Sequence, residues 1–442
     1  MAIVPKHRLN LLSSYARVQA PWIKIAIGNF TFGVYCKSEG RTQTDTGFYS
    51  NYHIQYPNYV ESLSITKING QVNQYTLSLV YPVRVGDDPN FFDKVFSSVS
   101  KTRKITFSYG DSSMPDYVYK DEEAIITNIT QTFGFGNGGT GNSVIRYTVS
   151  AVSGAALGKT GSYTFVGGEI RPSERIKEIF RNKNYGLRDI FTGMGESNLN
   201  SLIDGSDKKV KVLTKTNMNP IDYISYLVSC MIPEGTTETT RSKDIYLFTI
   251  HDENIYDKLY QDDSLGGPYF KVTRTSYAKS YSDAYEVDIG YNTSTIVTNF
   301  SIKQNENYSI LYDYQEELHP EEYVRRLNNK GEWEDVFAPS FTSNNDHRET
   351  RPNDVTWYTK LTKYPISATI TIQGLLRPAN LMTYLRLNII FPGGRKHTAS
   401  GLYIVTSQQD TISTAGYVTT LELTRIEGDD FLDEQGNVVT PT

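Results

Sequence analysis

The sequence predicts a mainly β protein of the α+β class, in which two strand-rich regions flank a small mixed α/β domain. The chain carries 33 Tyr among 442 residues and is also rich in Thr and Val, and these residue types favour strands. Regions near both ends alternate apolar with polar residues, which is the period of a half-buried strand. The length exceeds the ~250–300 residues at which a single core stops growing, so we expect roughly two to four domains.

Charge and cysteine content exclude several classes of protein. The formal net charge of −5 argues against a dedicated nucleic-acid binder, because such proteins concentrate Lys and Arg against phosphates. Cys36 and Cys230 lie far apart, which favours two buried thiols over a disulfide or a metal pair. Residues 1–20 lack the apolar block of a signal peptide, and the most apolar stretch, 221–232, is shorter than the ~20 residues of a membrane span. We therefore expect no membrane partner.

The first strand-rich region follows an N-terminal arm, residues 1–20, which lacks periodicity. Hairpins are predicted over 22–36, with a turn at Gly28-Asn29, and over 63–81, with a type I′ turn at Asn69-Gly70. The segment between them, 40–59, is polar and Tyr-rich, which predicts a long interaction loop.

A short helix and a long hairpin complete this region. Asp88 suits an N-cap and Pro89 the first helical position, so we expect a helix over 88–100. A strand over 104–109 precedes a hairpin over 123–133 and 144–152. The tip of that hairpin, 134–141, is glycine-rich, but a strand follows it instead of the helix N-terminus that a phosphate cradle needs. We expect a hairpin tip there and no nucleotide site.

The middle of the chain, residues 165–265, is predicted to be the mixed α/β domain. The small, polar stretch 154–168 marks its boundary. Helices are expected at 174–180 and from Asn219-Pro220 onward, because apolar residues recur on one side of each. Residues 245–250 form a nearly continuous apolar strand.

The second strand-rich region consists of residues 268–302 and 355–428. A charged insertion, 303–354, separates the two parts, and a helix is predicted within it at 320–327. Strands over 366–372 and 384–391 lead to a closing hairpin. Residues 429–442 form an acidic tail that we expect to be loose.

The closing hairpin has the most distinctive pattern in the chain. Its strands read Ser400-Gly401-Leu402-Tyr403-Ile404-Val405-Thr406 and Gly416-Tyr417-Val418-Thr419-Thr420-Leu421-Glu422-Leu423-Thr424-Arg425-Ile426. The residues between them, 407–415, are expected to be a polar linker that breaks the strand pattern. The hairpin resembles the closing hairpin of the tube-forming domains in baseplate hub proteins of tailed bacteriophages and related contractile injection machines.

The two strand-rich regions also match each other as patterns. A strand, a helix, a strand and a hairpin over 75–83, 88–100, 104–110 and 124–152 correspond to a strand, a connection, a strand and a hairpin over 366–375, 377–380, 384–391 and 401–426. Within the hairpins, Ala124-Ile125-Ile126-Thr127 and Tyr403-Ile404-Val405-Thr406 stand at equivalent points. We predict an internal repeat, against the alternative that any two antiparallel β-domains of similar size look alike at this level.

The resemblance to hub proteins implies an architecture and a set of partners. It implies two tube-type β-barrel domains, residues 21–155 and the second strand-rich region, in a homotrimer that forms a pseudo-sixfold ring. The expected partners are further copies of this chain, the tail tube protein ring, the spike or tip protein, the tape-measure protein and DNA in transit through the channel. The expected location is the virion tail or baseplate, after assembly in the host cytoplasm.

No catalytic, cofactor-binding or metal-binding residue is predicted, so we expect a structural protein and not an enzyme. The six His residues include no pair at metal-ligand spacing. We expect solvated loop residues at the remaining acidic or basic groups, which are His251-Asp252-Glu253, His319-Pro320-Glu321-Glu322, the tail carboxylates Asp429, Asp430 and Asp433, and an exposed turn at Gly393-Gly394-Arg395-Lys396-His397.

Two alternative functions stay open from the sequence. Tyr49, Tyr52, Tyr56 and Tyr59 would suit a receptor- or carbohydrate-binding tail protein, because Tyr rings serve both protein contacts and sugar stacking. A peptidoglycan hydrolase would need two opposed carboxylates in a cleft, and the 49 Asp and Glu residues leave such a pair open.

Overall fold

The structure of the protein is a computed structural model. It describes residues 21–28, 30–34, 59–84, 86–97, 103–111, 117–135, 143–235, 244–251, 255–257, 268–276, 285–290, 297–304, 323–327, 333–337, 366–373, 381, 384–413, 416–428, 431–432 and 438–439. Over these residues the protein is mainly β, with a large sheet and short helices. The predicted fold class is confirmed at this level.

The first strand-rich region folds as the alternating pattern predicts. Its elements are β1 (Pro21–Ile27), β2 (Phe30–Val34), β3 (Val60–Ile68), β4 (Gln74–Val83), α1 (Phe91–Ser97), β5 (Lys104–Asp111), β6 (Tyr117–Gly134) and β7 (Ser143–Ser153). The predicted hairpins are β1–β2, β3–β4 and β6–β7, all antiparallel. Alternate residues such as Leu63, Ile65, Leu77 and Leu79 are buried in one core, which α1 covers, because a strand turns every second side chain to the same face.

Two local predictions in this region were wrong in detail. A type I′ turn needs positive φ at both central residues, whereas of Asn69 and Gly70 only the glycine has one, at 70°. Gln71 N donates to Ile68 O at 3.0 Å, as in a type II turn with Gly in the third position. The helix begins at Phe91 and not at Asp88, because the Asp88 carboxylate accepts a hydrogen bond from Asn90 N in a turn before the helix.

A carboxylate, Glu122 of β6, lies inside this core and is 1% exposed. The hydroxyls of Tyr75 and Tyr109 each donate to it at 3.1 Å. These hydrogen bonds offset part of the cost of removing the carboxylate from water. They also tie β6 to β4 and β5 across the interior.

Replacing Glu122 with leucine is expected to lower the free energy of unfolding by about 1–3 kcal/mol for each tyrosine hydroxyl that loses its acceptor. Urea unfolding followed by circular dichroism measures this change. Tyr75→Phe is the matched control, because it removes one donor and leaves the other in place, and its effect should be smaller. Equal stability of Glu122→Leu and wild type would show that the cluster does not support the fold.

The middle region combines short helices with two-stranded sheets. Its elements are β8 (Tyr163–Phe165), β9 (Gly168–Ile170), α2 (Pro172–Arg181), α3 (Leu187–Ile190), α4 (Leu199–Leu202), β10 (Val210–Val212), β11 (Lys215–Met218), α5 (Pro220–Ser229), β12 (Asp244–His251), β13 (Ile255–Asp257) and β14 (Tyr269–Ser276). Both predicted helices are present. Asn219 caps α5 by accepting a hydrogen bond from Asp222 N at 2.8 Å, and Pro220 opens the helix. Cys230, after α5, is buried, while Cys36 lies outside the described residues.

Strand β14 belongs to this region, although the sequence grouped it with the strands that follow. It pairs along its whole length with β12. Phe270 and Val272 of β14 are buried in the same core as Phe248 and Ile250 of β12. Strand β14 therefore packs with the middle region because its apolar face matches that of β12, although it lies close in sequence to the strands that follow.

The last region supplies the remaining strands. They are β15 (Tyr285–Gly290), β16 (Val297–Gln304), β17 (Tyr323–Leu327), β18 (Trp333–Phe337), β19 (Ile366–Gln373), β20 (Tyr384–Ile390), β21 (Gly401–Ser413), β22 (Gly416–Gly428), β23 (Phe431–Leu432) and β24 (Val438–Val439). The helix predicted at 320–327 was wrong, because β17 pairs there with β18. Both segments carry aromatic and β-branched residues, which favour strands. Short β23 and β24 pair with each other in the acidic tail.

The predicted linker of the closing hairpin was also wrong. Strand β21 continues to Ser413, so most of 407–415 is strand and pairs with β22 on one side. On its other side, the same polar segment pairs with β3 of the first region. The polar residues that seemed to break the pattern are therefore strand residues with a partner far away in sequence.

One sheet runs through both strand-rich regions. Its order is β16-β19-β22-β21-β3-β4-β7-β6-β5-β1-β2, with β20 beside β21, β15 beside β20 and β13 beside β6. Neighbours on this path are antiparallel, while β15 and β20 are parallel. The last region thus has its own core yet shares a sheet with the first.

Candidate assembly interface

The two strand-rich regions have the same strand order. In the first, β4 lies between β3 and β7, and β6 lies between β7 and β5. In the last, β19 lies between β16 and β22, and β21 lies between β22 and β20. Each of these strands in the first region thus has a counterpart in the last region, as the predicted internal repeat requires.

A β-bulge stands at the same place in both long hairpins. The register of β6 against β7 shifts at Thr127, and that of β21 against β22 shifts at Thr406. Thr127 Oγ1 donates to Ser150 O at 3.1 Å, and Thr406 Oγ1 donates to Glu422 O at 3.2 Å. These are the two threonines that the sequence comparison placed at equivalent points.

A second bulge is shared by the β3–β4 pair and the β16–β19 pair. The register of β3 against β4 shifts between Val60 and Ser62, and that of β16 against β19 shifts between Val297 and Asn299. Bulges are local features that change the twist of a strand. Their coincidence at two separate places fixes the residue-by-residue correspondence of the two regions.

The join between the regions is the pairing of β21 with β3. Its register places Ser407, Gln408, Gln409, Asp410, Thr411, Ile412 and Ser413 opposite Ile68, Lys67, Thr66, Ile65, Ser64, Leu63 and Ser62. Ile412 and Tyr417 are 1% exposed and belong to the core of the first region. The closing hairpin therefore completes the core of a region that begins more than 300 residues earlier.

A buried polar cluster lies at this join. Lys67 Nζ is 3.9 Å from Asp410 Oδ2, and both side chains are 1% exposed. Thr419 Oγ1 donates to Asp410 Oδ1 at 2.6 Å, and Gln408 Nε2 donates to Asp410 Oδ2 at 2.8 Å. A buried charge pair with further hydrogen bonds specifies which strands meet, because a wrong register would leave a charge unpaired.

Besides edge strands such as β2 and β15, which each have one described partner, the described part of the sheet presents two open edges that correspond to the strands of the internal join. The second half of β6, residues 127–134, pairs with β7 on one side and has no described strand on the other. Strand β16 pairs with β19 and ends the sheet. Phe133 of β6 is 54% exposed and Ile302 of β16 is 37% exposed. Open edges with exposed apolar residues invite pairing with another strand.

Three of the groups that the sequence singled out for chemistry lie within the described residues, and each makes local contacts of its own. His251 Nε2 lies 2.8 Å from Thr249 Oγ1, and its ring stacks on Tyr269. Gly393–His397 forms the exposed turn that was predicted, where Lys396 Nζ donates to Asn388 Oδ1 at 2.9 Å. Tyr59 packs edge to face against Tyr81 and Phe92. It therefore packs against the core of the first region.

The other candidates lie outside the described residues. They are Tyr49, Tyr52, Tyr56, Asp252, Glu253, the segment 319–322, Asp429, Asp430, Asp433, most of the loop 40–59 and most of the tip 134–141. Within the described ranges, no three His, Cys, Asp or Glu side chains are grouped to hold a metal ion. None of the helices described has the length and hydropathy to cross a bilayer.

Comparison with solved structures finds a distant similarity to phage tail and secretion proteins. No family model and no curated protein matches the chain. The chain is similar to the 43 kDa tail protein of prophage MuSo2 from Shewanella oneidensis, with 10% identity and a TM-score of 0.46. It is also similar to a tail protein from Neisseria meningitidis, with 9% identity and a TM-score of 0.45. Each match covers 92% of this chain and 97% of the matched chain. A third match is a type VI secretion component from E. coli that has structural similarity to the T4 tail proteins gp27 and gp5. The match covers 88% of this chain and 78% of the E. coli chain, with 8% identity and a TM-score of 0.41. These values describe a distant likeness of fold.

Proposed function

We propose that the protein is a non-enzymatic structural component of a phage tail or related injection particle, the hub between the tail tube and the central spike or tip. Three copies form a ring. Each copy contributes two barrel domains, one built on β1–β7 and the other on β15, β16 and β19–β22. The six domains surround a channel for DNA or tape-measure protein, and the middle region lies outside them.

One observation carries the proposal: two regions with the same strand order and two shared bulges are joined edge to edge in one sheet. This join uses β21 of the last region and β3 of the first. The corresponding strands, β6 of the first region and β16 of the last, keep an open edge. Repeating the join between copies gives a head-to-tail contact, and such contacts close into rings when the rotation allows. A ring of three chains presents six similar domains, which matches the sixfold tube that the hub resemblance implies.

The charge of the chain suits a channel. With a formal net charge of −5, the protein has no excess of Lys and Arg to hold phosphates. DNA would pass such a wall without being retained. A strongly positive bore in the assembled ring would contradict this part of the proposal.

The expected mass of the assembled protein is three times the chain mass of 50.0 kDa. Size-exclusion chromatography with light scattering measures it across a range of concentrations. A species that stays monomeric, or that stops at a twofold dimer, would contradict the ring. Gold-labelled antibody on purified particles tests the position, with label expected where the tube meets the tip and label along the tube or on the head as the contrary result.

A further inference from the structure

The two open edges are the counterparts of the two strands that meet inside the chain. The correspondence set by the bulges makes the second half of β6 equivalent to the part of β21 that pairs with β3. It makes β16 equivalent to β3. From this we infer that β6 of one copy pairs with β16 of the next copy, antiparallel and in the register of the internal join. The inference rests on the proposed ring and defines its contact.

The register follows residue by residue from the equivalence of Thr127 with Thr406 and of Val60 with Val297. The internal pairs of β21 with β3 then carry over to the contact between copies. The resulting opposite pairs are Ile129 with Gln304, Thr130 with Lys303, Gln131 with Ile302, Thr132 with Ser301, Phe133 with Phe300, and Gly134 with Asn299.

Exposure of the apolar residues agrees with this pairing. Phe133 is 54% exposed, whereas its counterpart Ile412 is 1% exposed at the internal join. Ile302 is 37% exposed, whereas its counterpart Ile65 is fully buried. The internal positions are covered because a neighbouring region completes the core there. The same neighbour, supplied by a second copy, would cover Phe133 and Ile302.

The polar residues at the internal join differ from those at the proposed contact between copies. The internal join holds Lys67 and Asp410, and the equivalent positions at the open edges hold Gln304 and Gln131. Burying a charge pair requires both ions to leave water, which costs free energy. Within one chain that cost is met during folding. Between separate chains, neutral amides at these positions add no ion of their own to the contact, and Gln131 Nε2 donates to Asp93 Oδ1 of α1 at 2.5 Å.

Cysteine cross-linking tests the register. Thr132→Cys with Ser301→Cys places the two thiols on directly opposite residues, ~4.5–5.5 Å apart between α-carbons, which a disulfide spans. Thr130→Cys with Ser301→Cys is the matched control, because its residues are diagonal and ~7–8 Å apart. After mild oxidation, we expect covalent dimers and trimers for the first pair, with little for the control. The single-cysteine variants show the background from Cys36 and Cys230.

The outcomes separate this inference from the proposed function. A protein that has the trimer mass but does not cross-link, or that cross-links equally well in both pairs, overturns the register and leaves the ring standing. A protein that remains monomeric overturns the ring and the contact together. Efficient, reducible cross-linking of the opposite pair alone supports both.

Discussion

Replacing Asp410 with alanine is expected to lower the free energy of unfolding by about 3–5 kcal/mol. The substitution leaves the Lys67 ammonium, which is 1% exposed, without its carboxylate. It also removes the acceptor of Thr419 Oγ1 and Gln408 Nε2. Because these groups lie between β3 and β21, the two strand-rich regions should also separate more easily. Chemical denaturation of the purified protein measures the loss, and limited proteolysis reports the separation.

The double variant Lys67→Met, Asp410→Leu is the control for this prediction. Apolar residues of similar size that replace both members of a buried ion pair often restore stability, because no charge remains unpaired. We expect the double variant to be clearly more stable than Asp410→Ala. If the losses from Lys67→Met and Asp410→Leu simply add, the two side chains are not coupled and the cluster does not define the join.

Phe133→Asp is expected to prevent ring formation while leaving the single chain folded. Phe133 is half exposed in one copy, so the fold does not depend on its burial, but the contact would force the new carboxylate into the core of the next copy. A hot-spot residue of a contact is worth at least ~2 kcal/mol, or about 30-fold in dissociation constant, and we expect Phe133 to be one. Light scattering should show monomers where the wild type shows trimers.

Phe391→Asp is the matched control for that substitution. Phe391 is 50% exposed and lies in the turn after β20, on neither of the strands β6 and β16. Its replacement adds the same charge and removes the same ring, so it should leave the trimer intact. Loss of assembly in both variants would point to the added charge and not to the proposed contact. Unchanged assembly of Phe133→Asp would place the contact elsewhere.

Much of the fold was predictable because it depends on local patterns. The alternation of Leu63, Ile65, Leu77 and Leu79 predicted the β3–β4 hairpin, and Asn219-Pro220 predicted the start of α5. The match of Ala124–Thr127 with Tyr403–Thr406 predicted where the two hairpins correspond. Each of these signals lies within a few residues, where strand period and helix capping act.

The join between the regions was not predictable, because its partners are far apart in sequence. Residues 407–413 looked like a linker, since Gln408 and Asp410 are polar and polar residues usually face water. One signal was present. Lys67 continues the period-two face of Leu63 and Ile65, and Asp410 continues that of Ile412. A charged residue on the buried face of each strand indicates that the two charges meet.

The bulge shared by the β3–β4 and β16–β19 pairs gave no signal in the sequence. Glu61 and Thr298, which lie at the shared shift in register, are different residue types with no special backbone requirement. A bulge is set by how two strands meet, so it emerges only when both strands are in place. For that reason the structure fixes the correspondence of the two regions more sharply than the sequence pattern does.

The most direct test of the account is a cryo-electron microscopy reconstruction of the assembled protein in which individual strands are resolved. The account predicts six similar β-domains around one axis, with joins through β21 and β3 within each chain alternating with joins through β6 and β16 between chains. Copies that meet through other surfaces, or two regions that do not superimpose around the axis, would contradict it.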